Sequence, residues 1–276
     1  MRTLLVINDN SSEAIHAAEF ALLIAQKIQT RILLFNTFEI TGKPGEKAPT
    51  IVAKICMGDC VASERLHYLK SPEKELPDFT PRIEEFDISN MNESEVIGFV
   101  NRNPVWMIIK GMGEVIPTAN ARRSLNIHTV LNRVLCPLLL IPAKWQLKKI
   151  ERLAYIADLR YCRIQIVRYL AELAGLWHAA LSIVHRSASG LPDITENYAD
   201  ILFREEVSNK VNYDQLFFYK VKEKAPAKAV DAMINETPND ILVLVNHRFH
   251  FEEIVGRYIT EALPPHITIP LFIFPY

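Results

Sequence analysis

The chain has no surplus of either charge. Its 31 lysines and arginines are set against 32 aspartates and glutamates, for a formal net charge of −1. A protein that grips nucleic acid by its phosphates needs a basic excess, so nucleic acid is not expected as a partner. Cysteine is scarce. Cys56, Cys60, Cys136 and Cys162 are too few and too irregularly placed for a secreted disulfide framework. No apolar run approaches the roughly 18–20 residues that cross a bilayer. No charged and apolar leader precedes the first strand-like run, so a cytoplasmic location without a membrane partner is expected. Catalytic signatures are missing too. Lys43-Pro44-Gly45-Glu46-Lys47 lacks the spaced glycines and the Lys-Ser/Thr ending of a Walker loop. Nothing has the pattern of a nucleophile elbow, a zinc-protease helix or a paired-carboxylate site, and no enzyme is expected. Cys56 and Cys60 could share a helix face with His67 beyond them. Zinc asks for four ligands, however, and packing is the simpler role.

Alternation of apolar runs with amphipathic stretches is what the chain does have. Thr3–Ile7 is a continuous branched apolar run, the pattern of a strand buried on both faces. Asp9 closes it, and Ser11 or Ser12 can cap the helix that follows to Gln29. Arg31–Asn36 is a second buried strand. Residues 40–50 form a loop, Ile51–Tyr68 a helix, Pro81–Asp87 a short strand and Glu93–Asn101 a helix. Val105–Lys110 is a buried strand that runs into Gly111-Met112-Gly113. Leu125–Leu135 is helical, and Cys136–Pro142 is a closing strand with a proline inside it.

After a short polar linker, 143–149, the order repeats. Arg152–Ala157, Ala179–His185, Asp214–Val221, Asp240–Val245 and Ile267–Phe274 read as strands. Ile164–Leu176, Ile194–Val211, Pro226–Asn235 and Phe251–Leu263 read as helices between them. Asp158 recurs where Asp9 stood, and Pro270 where Pro137 stood. Each half is about 130–140 residues, an ordinary domain size. The chain therefore divides into domains at 1–142 and 150–276. Each is α/β, with a doubly wound, mostly parallel five-stranded sheet of Rossmann-like kind. In such sheets ligands lie beyond the carboxyl ends of the strands, where Asp9 and Asp158 fall. Either acid could contact a ligand or simply close its turn and cap the next helix.

The strand ending in Asp9 with Ser11 opening a helix, the buried strand running into Gly111-Met112-Gly113, and the helix leading into Val134–Ile141 resemble the universal stress protein family. Asn239–Val245 and His266–Ile273 resemble it in the second half, so the likeness is to a tandem pair. It implies an adenine-nucleotide-binding fold and domains that pair through their last strands, within the chain and again as a homodimer. It implies ATP or AMP as the ligand, with backbone amides at a glycine turn cradling the phosphates. On that likeness the first domain's site is Asn8, Asp9, Ser11, Gly111, Gly113 and Ser124. The family signature spaces its first two glycines by two residues; here one residue separates Gly111 from Gly113, and Ser124-Leu125 stands for the closing Gly-Ser/Thr. In the second half Val245-Asn246-His247-Arg248 replaces the paired glycines, and Arg257 follows Gly256. His247-Arg248-Phe249-His250 could instead bind an anion or form a pH-sensitive contact, with an ordinary surface loop as the simpler reading. The resemblance thus implies a non-catalytic stress-response protein acting through dimerisation and an unidentified protein partner, with no obligatory cofactor. A regulator that holds ATP or AMP weakly in the first domain is the alternative.

Overall fold

A computed structural model describes residues 2–38, 79–113, 125–187, 190–221, 225–259 and 262–276. The helix read at Ile51–Tyr68 and the residues Cys56, Cys60, His67 and Ser124 lie outside these. The chain falls into two compact units, the first made almost entirely of Met1–Ala143 and the second of Lys144–Ile259 with Leu263–Phe274.

The first unit runs β1 (Thr3–Asn8), α1 (Ser12–Ile28), β2 (Arg31–Asn36), β3 (Ile83–Asp87), α2 (Glu93–Arg102), β4 (Val105–Met112), α3 (Ile127–Arg133) and β5 (Leu138–Pro142). The strands lie in the order β3-β2-β1-β4-β5. All four neighbouring pairs are parallel. Every residue of β1 is buried, as expected of a strand covered on both faces. Helix α1 begins where Ser11 Oγ accepts a hydrogen bond from the Ala14 amide at 3.1 Å. It ends at Gln29, which turns left-handed with φ 51°. The buried face of α1 is mostly small: Ala14, Ala17, Ala18, Ala21 and Ala25 lie on it. Small side chains let the helix axis approach the sheet closely. Helix α2 carries a reciprocal cap. Asn92 accepts from the Glu95 amide at 3.0 Å, and Glu95 accepts from the Asn92 amide at 2.7 Å.

The second unit runs β6 (Arg152–Ala157), α4 (Ile164–Gly175), β7 (Ala180–His185), α5 (Glu196–Leu202), β8 (Leu216–Lys220), α6 (Pro226–Asp231), β9 (Ile241–Val245), α7 (Phe249–Ile254) and β10 (Leu271–Phe274). Its strand order is β10-β9-β6-β7-β8, again with parallel neighbours. The start of β6 is pinned by the buried Asp240, which accepts from the Glu151 and Arg152 amides at 2.7 and 2.9 Å. Lys148 reaches the same carboxylate at 2.6 Å.

Several boundaries differ from the sequence reading, each for a physical reason. The closing strands begin only after Pro137 and Pro270. Pro137 and Pro270 precede β5 and β10, and each contributes only a carbonyl, accepting from Ile108 and Leu242 at 2.9 Å. A proline has no N–H for the ladder, so strand pairing begins after it. Strand β4 continues through Gly111 and Met112, which pair with Ile141 and Pro142 of β5. Gly111 is therefore a strand residue and not part of a turn. Helix α5 passes into a widened turn at Phe203–Val207, and α6 does the same at Ala232–Glu236. Helix α7 ends at Ile254, well short of Leu263, and is followed by Gly256 with φ 97°.

Candidate functional site

In the first unit the predicted residues converge at the carboxyl ends of β1 and β4. Asn8 is fully buried. Its Nδ2 donates to Asn36 Oδ1 at 2.6 Å, and Asn36 Nδ2 donates to Glu85 Oε2 at 3.0 Å. One polar ladder thus crosses the ends of β1, β2 and β3. Asp9 follows as the hinge into α1. Its Oδ1 accepts from the Ser11 amide at 3.2 Å and from the Ser11 hydroxyl. Its Oδ2 faces Lys110 Nζ at 3.1 Å. Ile7 pairs with Lys110 in the β1–β4 register, so parallel pairing delivers the lysine to the acid. Desolvation works against the charge on Asp9, but the Lys110 ammonium and the hydrogen bonds from Ser11 outweigh it and hold the carboxyl below its ordinary range.

The two glycines meet α1. A Cβ on Gly111 would fall 2.1 Å from the Glu13 carbonyl oxygen, and one on Gly113 would fall 2.6 Å from the Glu13 side-chain Cγ and Cδ. The glycines accordingly let the first turn of α1 sit against the end of β4, with Glu13 over them. Glu13 Oε2 accepts from the Ser12 hydroxyl at 3.0 Å. The Glu13 side chain therefore lies against the end of β4, at Gly113.

Next to this set opens a cleft of about 560 Å³, lined by Thr37, Ile88, Met91, Asn92, Glu93, Ser94 and Leu125. Thr37 joins the cleft to β1, since its amide donates to the Asn8 carbonyl at 2.9 Å.

The second unit builds its strand end differently. Asp158 is buried. Both its oxygens are taken by Arg160, with Nε at 2.8 Å from one and Nη2 at 2.5 Å from the other. Beside it His185 is fully buried, and its Nδ1 accepts from the Leu159 amide at 3.3 Å. Burial pushes the His185 pKa down, with the Asp158 charge opposing. A second cavity, of about 20 Å³, lies among Tyr155, Asp158, Tyr161, Arg163, Val245, Arg248 and His250. That is room for little more than one water. His250 is buried as well; burial and then the Arg186 cation lower its pKa, so the ring is neutral at pH 7.

Sequence reasoning placed Asp9, Asp158 and the 247–250 cluster at strand ends but did not pick out Lys110, Glu13, Arg160 or Arg163. Lys110 had a readable signal. It ends the apolar run Val105–Ile109 and is only 9% exposed, a position lysine rarely takes without a partner. Among the described residues no group of His, Cys, Asp or Glu has the arrangement of a metal centre, and no helix is long and apolar enough to cross a membrane.

No protein-family model and no curated protein matches the chain. Solved structures do. A functionally unknown protein from Pseudomonas aeruginosa PAO1 matches with TM-score 0.55 at 14% identity, over 99% of this chain and 92% of that one. A protein described as a putative universal stress protein from Pseudomonas aeruginosa UCBPP-PA14 matches with TM-score 0.55 at 15% identity, over 99% and 92%. A universal stress protein from Archaeoglobus fulgidus DSM 4304 matches with TM-score 0.53 at 13% identity, over 99% and 96%. In these three the likeness spans nearly the whole of both chains, and it shows that this chain has the fold of the universal stress proteins.

Proposed function

We propose that the chain is a tandem universal stress protein that is not an enzyme. In this reading it is a cytoplasmic stress-response protein with altered nucleotide sites, acting through dimerisation and contacts with a protein partner. The observation that carries the reading is the first unit's strand end. Lys110 neutralises Asp9, and Glu13 occupies the face of Gly111 and Gly113. A nucleotide held in the family manner would have to displace a carboxylate from its phosphate cradle and compete for an aspartate already paired. Like charges brought into a partly desolvated site repel strongly. The second unit supports the same reading, because Arg160 occupies both oxygens of Asp158. In this reading the pairing strands are β5 and β10, the last of each unit, as the family resemblance implies.

A second reading is favoured by the 560 Å³ cleft, a volume within the range of small-ligand sites. Here the first unit is an ATP or AMP sensor, with Asn8, Asp9, Ser11, Gly111, Gly113 and Ser124 at the nucleotide. Thermal unfolding with ATP·Mg²⁺ separates the two, because a ligand bound only by the native state raises the transition. The first reading expects no shift. A saturable rise that Asp9→Ala removes establishes the second, and steady phosphate release removed by the same substitution defeats both.

A further inference from the structure

Strand β8 closes the strand order of the second unit, and among the described residues it pairs on one side only, with β7. The Leu181 amide donates to the Gln215 carbonyl at 2.8 Å, and the Val221 amide donates to the His185 carbonyl at 3.0 Å. Along a strand the backbone groups point to the same side at every second residue, so Gln215, Phe217, Tyr219 and Val221 face β7. The N–H and C=O groups of Leu216, Phe218 and Lys220 therefore turn to the open edge. Edges of this kind are ordinarily blunted by charge, proline or a bulge. The edge strand of the first unit, β3, follows that rule, with Glu84, Glu85 and Asp87 among its five residues. Strand β8 does not. Leu216-Phe217-Phe218-Tyr219-Lys220 has no proline and no acid, and it is apolar or aromatic up to its last residue.

The side chains of β8 are incompletely covered. Phe217 is 41% and Tyr219 52% exposed. On the opposite face Phe218 stacks on Phe203 at 5.2 Å. The two ends of the segment carry opposite charges: Asp214 is exposed just before the strand, and Lys220 closes it. An ammonium has three protons to donate, and the Ile194 carbonyl accepts from Lys220. This pattern is its own complement. Antiparallel pairing of two copies about a dyad at Phe217 sets Phe217 opposite itself, Leu216 opposite Phe218, and Asp214 opposite Lys220. The last two contacts each occur twice. The open backbone groups of Leu216 and Phe218 then meet as hydrogen-bonded pairs. A dyad at Leu216 would set Asp214 against Phe218, and one at Phe218 would set Lys220 against Leu216. Of the three registers, only the dyad at Phe217 matches charge with charge and apolar with apolar.

We propose that β8 is a docking edge for a second copy of this chain, joined antiparallel at Phe217 with an Asp214–Lys220 ion pair at each end. Charge complementarity selects the occupant: an acid at one end and a lysine at the other are matched by the same segment run in reverse. The contact is separate from pairing through β5 and β10. It shares no residue with the strand end of the first unit, so it does not depend on how the nucleotide question is answered.

Sedimentation equilibrium of the full chain tests it by charge reversal. The parent chain is expected to dimerise. Asp214→Lys and Lys220→Asp should each weaken the dimer at least about tenfold, because each sets like charges opposite one another at both ends. The doubly reversed chain should regain the parent affinity to within about threefold, since its pairs are again opposite in sign. A second measurement fixes the register. Facing residues of a non-hydrogen-bonded antiparallel pair lie about 4.5 Å apart at Cα, so Phe217→Cys should oxidise to a linked dimer beyond the parent level. Tyr219→Cys should not, because its two copies stand about 14 Å apart. A parent chain still monomeric at roughly 0.1 mM overturns the proposal. So does a double reversal no tighter than the single ones, or a Phe217→Cys chain that links no more than the parent. A dimer indifferent to all of these substitutions but lost on substitution in β5 or β10 rejects the β8 contact and leaves the reading of the preceding subsection standing.

Discussion

Replacing Gly111 by alanine puts one carbon where α1 already lies. The new Cβ would fall 2.1 Å from the Glu13 carbonyl oxygen and 2.2 Å from its carbon, against a limit of about 3.0 Å below which Cβ contacts are essentially never seen. The obstructing atoms are backbone at the first turn of a 17-residue helix, so no rotamer change relieves the clash. Helix α1 has to retreat by roughly 1 Å, loosening the alanine face that packs on the sheet; overpacking of this kind costs about 3 kcal/mol. With an m value near 2 kcal/mol/M in urea, the midpoint of the first unit falls by about 1.5 M. Gly98 provides the control. It lies inside α2, and an added Cβ would meet only the Arg102 guanidinium at 3.6 Å. Gly98→Ala should therefore stabilise by about 0.5–1 kcal/mol, since alanine has the better helix propensity. Urea unfolding monitored by far-UV circular dichroism reads both. Equal midpoints for Gly111→Ala and the parent chain refute the close approach of α1 to β4, and with it the account of why glycine stands there.

Three further outcomes follow from the polar contacts. Asp9 is held below its ordinary pKa, so its contribution to stability is complete above the unfolded value near 3.8 and is lost as pH falls through the lower folded value. Lys110→Met should raise the Asp9 pKa in a carboxyl ¹³C titration and cost about 1 kcal/mol at pH 7, a small figure because Asp9 is partly exposed; an unmoved titration denies the pair. Asn36→Ala removes both bonds of the Asn8–Asn36–Glu85 ladder and should lower stability by about 2 kcal/mol, read as a urea midpoint shift; a change under about 0.5 kcal/mol means the ladder contributes little. Asp240→Ala deprives the Glu151 and Arg152 amides of their acceptor, so those two amides should lose hydrogen-exchange protection while the middle of β6 keeps it, and retained protection at both rejects the pinning role.

The fold was legible where the physics is local. Continuous branched apolar runs such as Leu4–Ile7 and Ile241–Val245 can be satisfied only by strands covered on both faces, and Ser11 is a cap by its own chemistry. Ends of elements were less legible because they depend on partners: β4 is carried to Met112 by its pairing with β5, not by its own composition. The site divides in the same way. Asp9 could be placed because a strand end is a local feature. Its neutralisation by Lys110 could not, because the two residues lie 101 positions apart and meet through the β1–β4 register. Gly111 and Gly113 looked like a phosphate turn from sequence; the fit of Glu13 over them is a tertiary contact. In the second unit, Arg163 and Arg248 both lie over the ring of Tyr276, which no spacing rule would connect to either.

The central proposal is that the first unit does not take up ATP as a family-type site would, because its own side chains occupy the cradle. Isothermal titration of the full chain with ATP·Mg²⁺ tests it. Carried to roughly 1 mM nucleotide, it detects binding as weak as about −4 kcal/mol. The account predicts no saturable heat. A one-to-one isotherm that disappears in the Asp9→Ala variant would contradict it.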